Sequence, residues 1–162
     1  MILIKHLKIT TLDNLQFVVE NYKALTTAFF NEDYRMLKHT VARFDSQRKD
    51  IKRQRRKQIV ALRRIDPVLS VEKGTWYFLI INSLSQMVYC LKRMGEPCLE
   101  HVGNNFRPIP IGYAKEFLIL RDEIVCIFNR AFSDETSNQI RDDAAKIQSK
   151  LSDYPQIIIK DI

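Results

Sequence analysis

Apolar residues recur every three or four positions along most of the chain, a spacing that predicts amphipathic helices. Thr11 is the predicted N-cap of a first helix. The polar break "NED" at 31–33 predicts its end, and acidic residues there favour the start of a second helix. This second helix is expected to run to about Ile65, where Asp66-Pro67 stops it.

The second half of the chain repeats this alternation of apolar periods and breaks. A third helix is expected from about Ser70, and "NNFRPIPIG" (104–112) is a connection with two prolines. A fourth helix is predicted over about 113–132. A fifth is predicted to start at the cap Ser133 and to stop at Pro155.

Long helices joined by short breaks predict an all-α fold, an antiparallel up-and-down bundle of about five helices, two of them long. The scarcity of glycine (4) and proline (5) agrees with few turns. We expect a single domain over 1–162, with the bundle core at about 12–152 and flanking segments at 1–11 and 153–162. The tail "QIIIKDI" is β-prone, and it either pairs with "MILIKHL" or packs on the bundle.

The net charge of +7 is concentrated in one segment. From Arg43 to Arg64, ten Arg and Lys oppose Asp45 and Asp50, a balance of +8 (10 − 2), so the rest sums to about −1. A solvated face would usually mix Glu with Lys, and this one does not. We therefore expect an anionic partner to bind the cations opposite the apolar stripe of the second helix, namely Lys49, Lys52, Arg53, Arg56 and Lys57.

Two arginines of the same helix differ from these cations in their position. At 100° per residue, the apolar stripe of this helix consists of Phe44, Ile51, Gln58, Leu62 and Ile65. Arg48 and Arg55 fall at the edge of this stripe or inside it. An inward guanidinium needs an acceptor. We expect each of the two to meet a carboxylate or a backbone carbonyl of another helix.

The stretch "GEPCLEHVGNNF" (95–106) is the richest in candidate ligands. On a helical wheel it divides into two halves. Its predicted structural half, Cys98, His101 and Asn105, shares the core-facing side of the third helix with Trp76, Met87 and Met94. Its other half, Glu96 and Glu100, faces outward. Gly95 and Pro97 are expected to bend the helix, and Asn104 and Asn105 to end it.

Glu96 and Glu100 form an E-x-x-x-E pair one turn apart, a spacing at which two carboxylates share a cation. A divalent or ferric metal ion is the one cofactor that the residues suggest, and it would need further oxygen ligands from a neighbouring helix. The alternative is that both carboxylates are solvated or paired with Lys92 and Arg93.

No catalytic motif is present: the chain has no nucleophile elbow, no phosphate-binding glycine loop and no H-E-x-x-H. We therefore expect a protein that is not an enzyme. Three cysteines without a CxxC pair favour reduced thiols and a cytoplasmic location. The densest apolar run, "TWYFLII", is far shorter than the ~20 residues that a membrane-spanning helix needs.

Three stretches resemble PhoU-like helical domains: "RRKQIVALRRI", "GTWYFLIINSLSQMVYCLKRM" and "EPCLEHVGNNFRPIP". More closely, the chain resembles the soluble C-terminal domain attached to bacterial sodium/phosphate cotransporter-type proteins. The resemblance covers approximately Leu12 to Leu151, and "CLEHVGNNF" is its most specific part.

The resemblance implies a regulatory domain associated with phosphate transport, located in the cytoplasm at the inner face of the membrane. Its implied partner is a phosphate permease or another membrane transport component, and anionic lipid headgroups would meet the basic face. PhoU proteins bind metal ions through E/D-x-x-x-D motifs, usually one in each of two repeats. This chain departs from that pattern, because it has only Glu96 and Glu100 and no second repeat.

Two rival functions belong to other classes. A carboxylate-bridged metal-binding bundle, and with it a metal enzyme, requires inward E-x-x-H pairs, which the chain lacks. A nucleic-acid-binding helical protein is disfavoured, because the basic residues are not interleaved with aromatic ones for base stacking.

Overall fold

The computed structural model describes residues 2–62, 67–130 and 137–160, and these residues form five helices. The helices are α1 (Ile2–Phe30), α2 (Tyr34–Leu62), α3 (Pro67–Gly103), α4 (Ile111–Arg130) and α5 (Ser137–Lys160). The predicted all-α bundle is confirmed. Three helices are long rather than two, since α1 and α2 each have 29 residues and α3 has 37.

Several predicted helix boundaries are wrong. Helix α1 already begins at Ile2, so Thr11 lies inside it and is not a cap, and the segment 1–11 does not flank the helices. Leu7 is only 7% exposed, so packing favours helix across a segment whose local sequence favours a strand. Helix α3 begins earlier than expected, at Pro67, a residue that suits the first turn because its missing N–H would have no helical partner there.

The C-terminal end differs in the same way. Helix α5 continues through Pro155 to Lys160, so the described part of 153–162 is helical and not a β-prone tail. A proline inside a helix removes one amide donor and crowds the preceding turn, at a cost of about 3 kcal/mol, and α5 nevertheless continues past it. The predicted cap Ser133 lies outside the described residues.

Residues 1–108 form one compact unit, in which α1, α2 and α3 each contact the other two. The predicted stripe of α2 is buried at Phe44, Ile51, Gln58 and Leu62, whereas Ile65 lies outside the described residues. Earlier residues of α1 contact later residues of α2. The ring of Phe17 packs edge-on against Phe44 at 6.4 Å, and Asn14 bonds further along α2. The burial of this stripe fixes which face of α2 points to the core.

The break at 31–33 contains a sharp turn that no glycine supplies. Glu32 has a φ of 55°, and the N–H of Asp33 donates to the carbonyl of Ala28 at 2.8 Å. The carboxylate of Asp33 then accepts the N–H of Met36 at 2.9 Å, so Asp33 is the N-cap of α2. The predicted end of one helix and start of the next are therefore confirmed at this turn.

Polar side chains occupy part of the contact between α1 and α2. Asn14, which is 1% exposed, accepts a hydrogen bond from Gln47 at 2.7 Å and donates one to Gln54 at 2.8 Å. Asn21 is equally buried, but its side-chain oxygen has no hydrogen-bond partner among the described residues. The apolar periodicity did not predict either asparagine in the core.

The predicted core-facing side of α3 is confirmed at Met87 and Met94, which pack partly buried against the core, and is wrong at Trp76. Trp76, Leu79 and Ile80 are 62%, 56% and 42% exposed, and the buried residues beside them are Tyr77 and Ile81. Nearly every residue from Thr75 to Ile81 is apolar or aromatic, so periodicity alone cannot select the inward face there. Large apolar side chains on α3 consequently face outward.

Gly95 lies inside α3, which continues as a helix through Pro97. A Cβ atom at position 95 would lie 2.7 Å from Cγ2 of Val41 and 3.2 Å from Cδ1 of Leu25. The glycine thus lets α1 and α2 approach the backbone of α3. The bend predicted at Gly95 and Pro97 stays a prediction.

Residues 109–162 form a second compact unit, built from α4 and α5. Leu120, Val125 and Ile147 are its buried apolar residues among those described. Lys150 of α5 bonds Glu123 of α4 at 2.7 Å, and Arg130 pairs with Asp143. Whether both units belong to one domain, and whether all five helices alternate up and down, stay predictions.

Candidate anion-binding surface on helix α2

The basic residues of α2 lie on two different surfaces. Arg53, Arg56 and Lys57 are exposed and project away from the buried stripe of Phe44 and Ile51. We call these three residues the outer basic face. Arg53 is paired with Asp50 at 2.8 Å, one turn earlier on the same helix.

Lys49 and Lys52, the other two cations of the predicted anion-binding set, also line a groove between α2 and α3. The groove has a volume of about 310 Å³. We call it the α2–α3 groove, and its lining residues are Asp45, Arg48, Lys49, Ile51, Lys52, Arg55, Ile81 and Ser85. Four of these side chains are cations and one is a carboxylate.

Arg48 and Arg55 do not meet the expected oxygen acceptors from another helix. Among the described contacts, each guanidinium lies over an aromatic ring of α3: Arg48 over Tyr89 at 5.1 Å, and Arg55 over Phe78 at 5.7 Å. The prediction of a partner on another helix is confirmed, and the predicted chemistry of that partner is wrong. Arg48 is exposed and Arg55 is half-buried, so an aromatic face together with solvent satisfies each guanidinium without a carboxylate.

Asp45, the single carboxylate of the groove, is bound by a lysine of α3. The ammonium of Lys92 lies 2.8 Å and 3.0 Å from its two oxygens. This hydrogen bond lowers the pKa of Asp45, and the charges of Lys92, Arg48 and Lys49 lower it further. Asp45 is therefore ionised, and both of its oxygens accept hydrogen bonds from Lys92. The groove lining offers its four cations no other carboxylate.

The structural half of "GEPCLEHVGNNF" is partly confirmed. Cys98 packs partly buried against the core, and burial raises the pKa of its thiol to about 11. The ring of His101 lies edge-on to Phe29 and to Phe106, both at 5.6 Å, and its Nε2 is 3.1 Å from the carbonyl oxygen of Arg107.

Asn105 does not face the core as predicted, because it is exposed. It lies just beyond the end of α3 with a φ of 51°, and its N–H donates to the carbonyl of Val102 at 3.2 Å. The N–H of Phe106 donates to the carbonyl of His101 at 3.1 Å, which completes a Schellman turn. Asn105 thus terminates the helix, as the sequence also predicted.

Glu96 and Glu100 are both exposed on α3, the outward position that the helical wheel gave them. Glu96 lies 3.6 Å from Lys92, the pairing expected if no metal binds. Within residues 2–62, 67–130 and 137–160, no three His, Cys, Asp or Glu side chains come together as a metal site requires. The metal site at Glu96 and Glu100 stays a prediction.

No known protein family, curated protein or solved structure matches this chain. Among the described helices, none has an apolar stretch long enough to cross a lipid bilayer. The candidate functional site is the surface of α2, which carries the outer basic face and the cations of the α2–α3 groove.

Proposed function

We propose that this chain is a non-enzymatic regulatory domain of PhoU type, acting in phosphate transport at the cytoplasmic face of the membrane. The outer basic face of α2 binds anionic lipid headgroups beside a phosphate permease or another transport component. The exposed cations Arg53, Arg56 and Lys57 carry this proposal. The link to phosphate transport is supported by the resemblance of three sequence stretches to PhoU-like domains.

The outer basic face costs stability in the isolated chain. Arg53 and Lys57 are four residues apart on one helix, and Arg53 and Arg56 are three apart, spacings at which like charges repel. Asp50 neutralises only Arg53 among the three in the described contacts. A negatively charged surface removes this repulsion, so binding there is favourable in proportion to the charge that it neutralises.

Exposed apolar side chains in the same unit favour a lipid surface over an acidic protein. Val71, Trp76 and Leu79 of α3 are 72%, 62% and 56% exposed. Interfacial membrane proteins combine cations with Trp and large aliphatic residues. Each feature alone is common on proteins, and their combination on two packed helices supports the proposal.

Charge reversal tests the lipid contact directly. The variant R53E/R56E/K57E is compared with wild type by sedimentation with phosphatidylglycerol vesicles and with zwitterionic vesicles. We expect wild type to sediment only with the anionic vesicles and the variant to stay in the supernatant. The control K8E/K23E/K38E reverses three exposed cations elsewhere on α1 and α2, and it should retain most of the binding. Equal binding by wild type and the outer-face variant would overturn the proposal.

The partner is tested separately from the lipid. A photo-crosslinking amino acid at position 57, expressed in the source cells, should capture a membrane transport protein. The same amino acid at position 23 on α1 should not. Capture of a protein unrelated to transport at position 57 would contradict the regulatory role while leaving the lipid result intact.

A further inference from the structure

We infer that the α2–α3 groove binds a small polyphosphate, a molecule with two or more linked phosphate groups. The inference does not depend on the proposed function, because Arg53, Arg56 and Lys57 do not line the groove. The groove has a volume of about 310 Å³ and is lined by four cations and the single carboxylate of Asp45. That volume suits a small ligand rather than a macromolecular surface.

The cations of the groove form a row along α2. Arg48, Lys52 and Arg55 follow each other by four and three residues, so they lie on one side of the helix. At 1.5 Å per residue, the row is about 10 Å long. A single phosphate can contact only part of such a row, whereas a chain of linked phosphates can contact all of it. Lys49 adds a fourth charge beside the row.

The two arginines at the ends of the row are held by aromatic rings of α3. Tyr89 lies under Arg48 and Phe78 under Arg55, with centroid distances of 5.1 Å and 5.7 Å. Stacking engages the face of a guanidinium and leaves its in-plane N–H groups as donors. Those donors match phosphate oxygens in a bidentate arrangement. The rings thus reduce the side-chain freedom that anion binding would otherwise cost.

The environment of the groove strengthens this attraction. Lys92 binds Asp45 with two hydrogen bonds and offsets its negative charge, so the groove keeps an excess of positive charge. Beneath the cations lie Ile51 and Ile81, which are 2% and 0% exposed. Charges above an apolar floor interact more strongly than charges surrounded by water. Ser85 adds a hydroxyl group to the α3 side of the lining.

The test measures the affinity of the full chain for sodium tripolyphosphate by calorimetry at about 0.15 M salt, where long-range charge effects are screened beyond ~8 Å. Orthophosphate and sulfate at matched ionic strength are the comparison ligands. We expect tripolyphosphate to bind at least about tenfold more tightly than either, since it contacts more of the row. Equal affinity for all three anions would overturn the inference, and so would no detectable tripolyphosphate binding.

Two variants distinguish a site from a general positive field. Arg48→Gln with Lys52→Gln removes two exposed groove cations, and circular dichroism verifies the fold. The control, Arg35→Gln with Lys38→Gln, removes the same charge from exposed positions of α2 outside the groove. We expect tripolyphosphate affinity to fall at least about tenfold in the groove variant and less than about twofold in the control. Equal losses would show that only net charge matters, and the site would be rejected.

Discussion

Lys92 of α3 donates hydrogen bonds to both carboxylate oxygens of Asp45 on α2, at 2.8 Å and 3.0 Å. The two residues are 47 positions apart in sequence, so the pair joins two helices rather than two turns of one helix. Glu96 lies 3.6 Å from the same ammonium. The pair lies beside the cation row of the α2–α3 groove, and it sets how much positive charge the groove retains.

The stability contribution of this ion pair should depend on pH. Its hydrogen bond lowers the pKa of Asp45 from an ordinary value of 3.8 and raises the pKa of Lys92 from 10.5. The Asp45 contribution is therefore present above pH 3.8 and lost as the pH falls through the lower pKa of the folded state. The Lys92 contribution is present below pH 10.5 and lost as the pH rises through its raised value.

Urea unfolding of Asp45→Asn checks this dependence. We expect a lower midpoint than wild type at pH 7, and a difference that shrinks once the pH falls below 3.8. Asp13→Asn changes an exposed carboxylate of α1 by the same charge and serves as the control. A difference that stays constant down to the acid end would show that the pair contributes nothing electrostatically.

Gly95→Ala should destabilise the first unit, although alanine is the better helix former. The added Cβ would lie 2.7 Å from Cγ2 of Val41, which forces the helices apart and costs about 1–3 kcal/mol. Gly74→Ala is the matched control, because the nearest atom to its Cβ is Cδ1 of Leu62 at 3.7 Å. That change should stabilise the chain by about 0.5–1 kcal/mol through helix propensity. Chemical denaturation measures both, and two changes of the same sign would contradict the packing role of Gly95.

The two buried asparagines of α1 should respond differently to the same substitution. Asn14→Leu leaves Gln47 and Gln54 without their shared partner and should lower the free energy of unfolding by about 1–3 kcal/mol. Asn21→Leu removes a side-chain oxygen that has no hydrogen bond, together with an amide group that donates to the carbonyl of Phe17 one turn earlier in the same helix. Its effect should therefore lie between neutral and a gain of about 1 kcal/mol. Equal losses in the two variants would mean that size, and not hydrogen bonding, decides the result.

Trp76, the single tryptophan of the chain, should report lipid binding if the proposed function holds. At 62% exposure its fluorescence should be that of a hydrated indole, and phosphatidylglycerol vesicles should shift the emission to shorter wavelength. The R53E/R56E/K57E variant should show the same starting spectrum and no shift. If saturating vesicles left the wild-type emission unchanged, Trp76 would not contact the membrane surface.

The helices and the buried face of α2 were predictable because a strong period repeats over many turns. Phe44 and Ile51 stand out among charged neighbours, so only one face could be buried there. On α3 the same method placed Trp76 inward, because apolar residues surround the helix at that level. Helix ends were also predicted poorly, because a threonine such as Thr11 has the same local sequence pattern at the start of a helix and inside one.

The candidate site was only half visible in the sequence. An excess of cations on α2 needs no tertiary information, and the outer basic face follows from it. The groove cannot be predicted without tertiary information, because it depends on which residues of α3 approach Arg48 and Arg55. Phe78 and Tyr89 are distant in sequence from these arginines, and no local pattern connects them.

The alkylation rate of Cys98 is a natural probe of local opening in the first unit. Its thiol is partly buried with a pKa of about 11, so almost no thiolate is available at neutral pH, whereas Cys90 and Cys126 are exposed. An alkylating reagent will therefore label two sulfurs first. The third should react more slowly, and faster whenever α3 separates from its neighbours, so mass spectrometry can follow helix opening without any engineered probe.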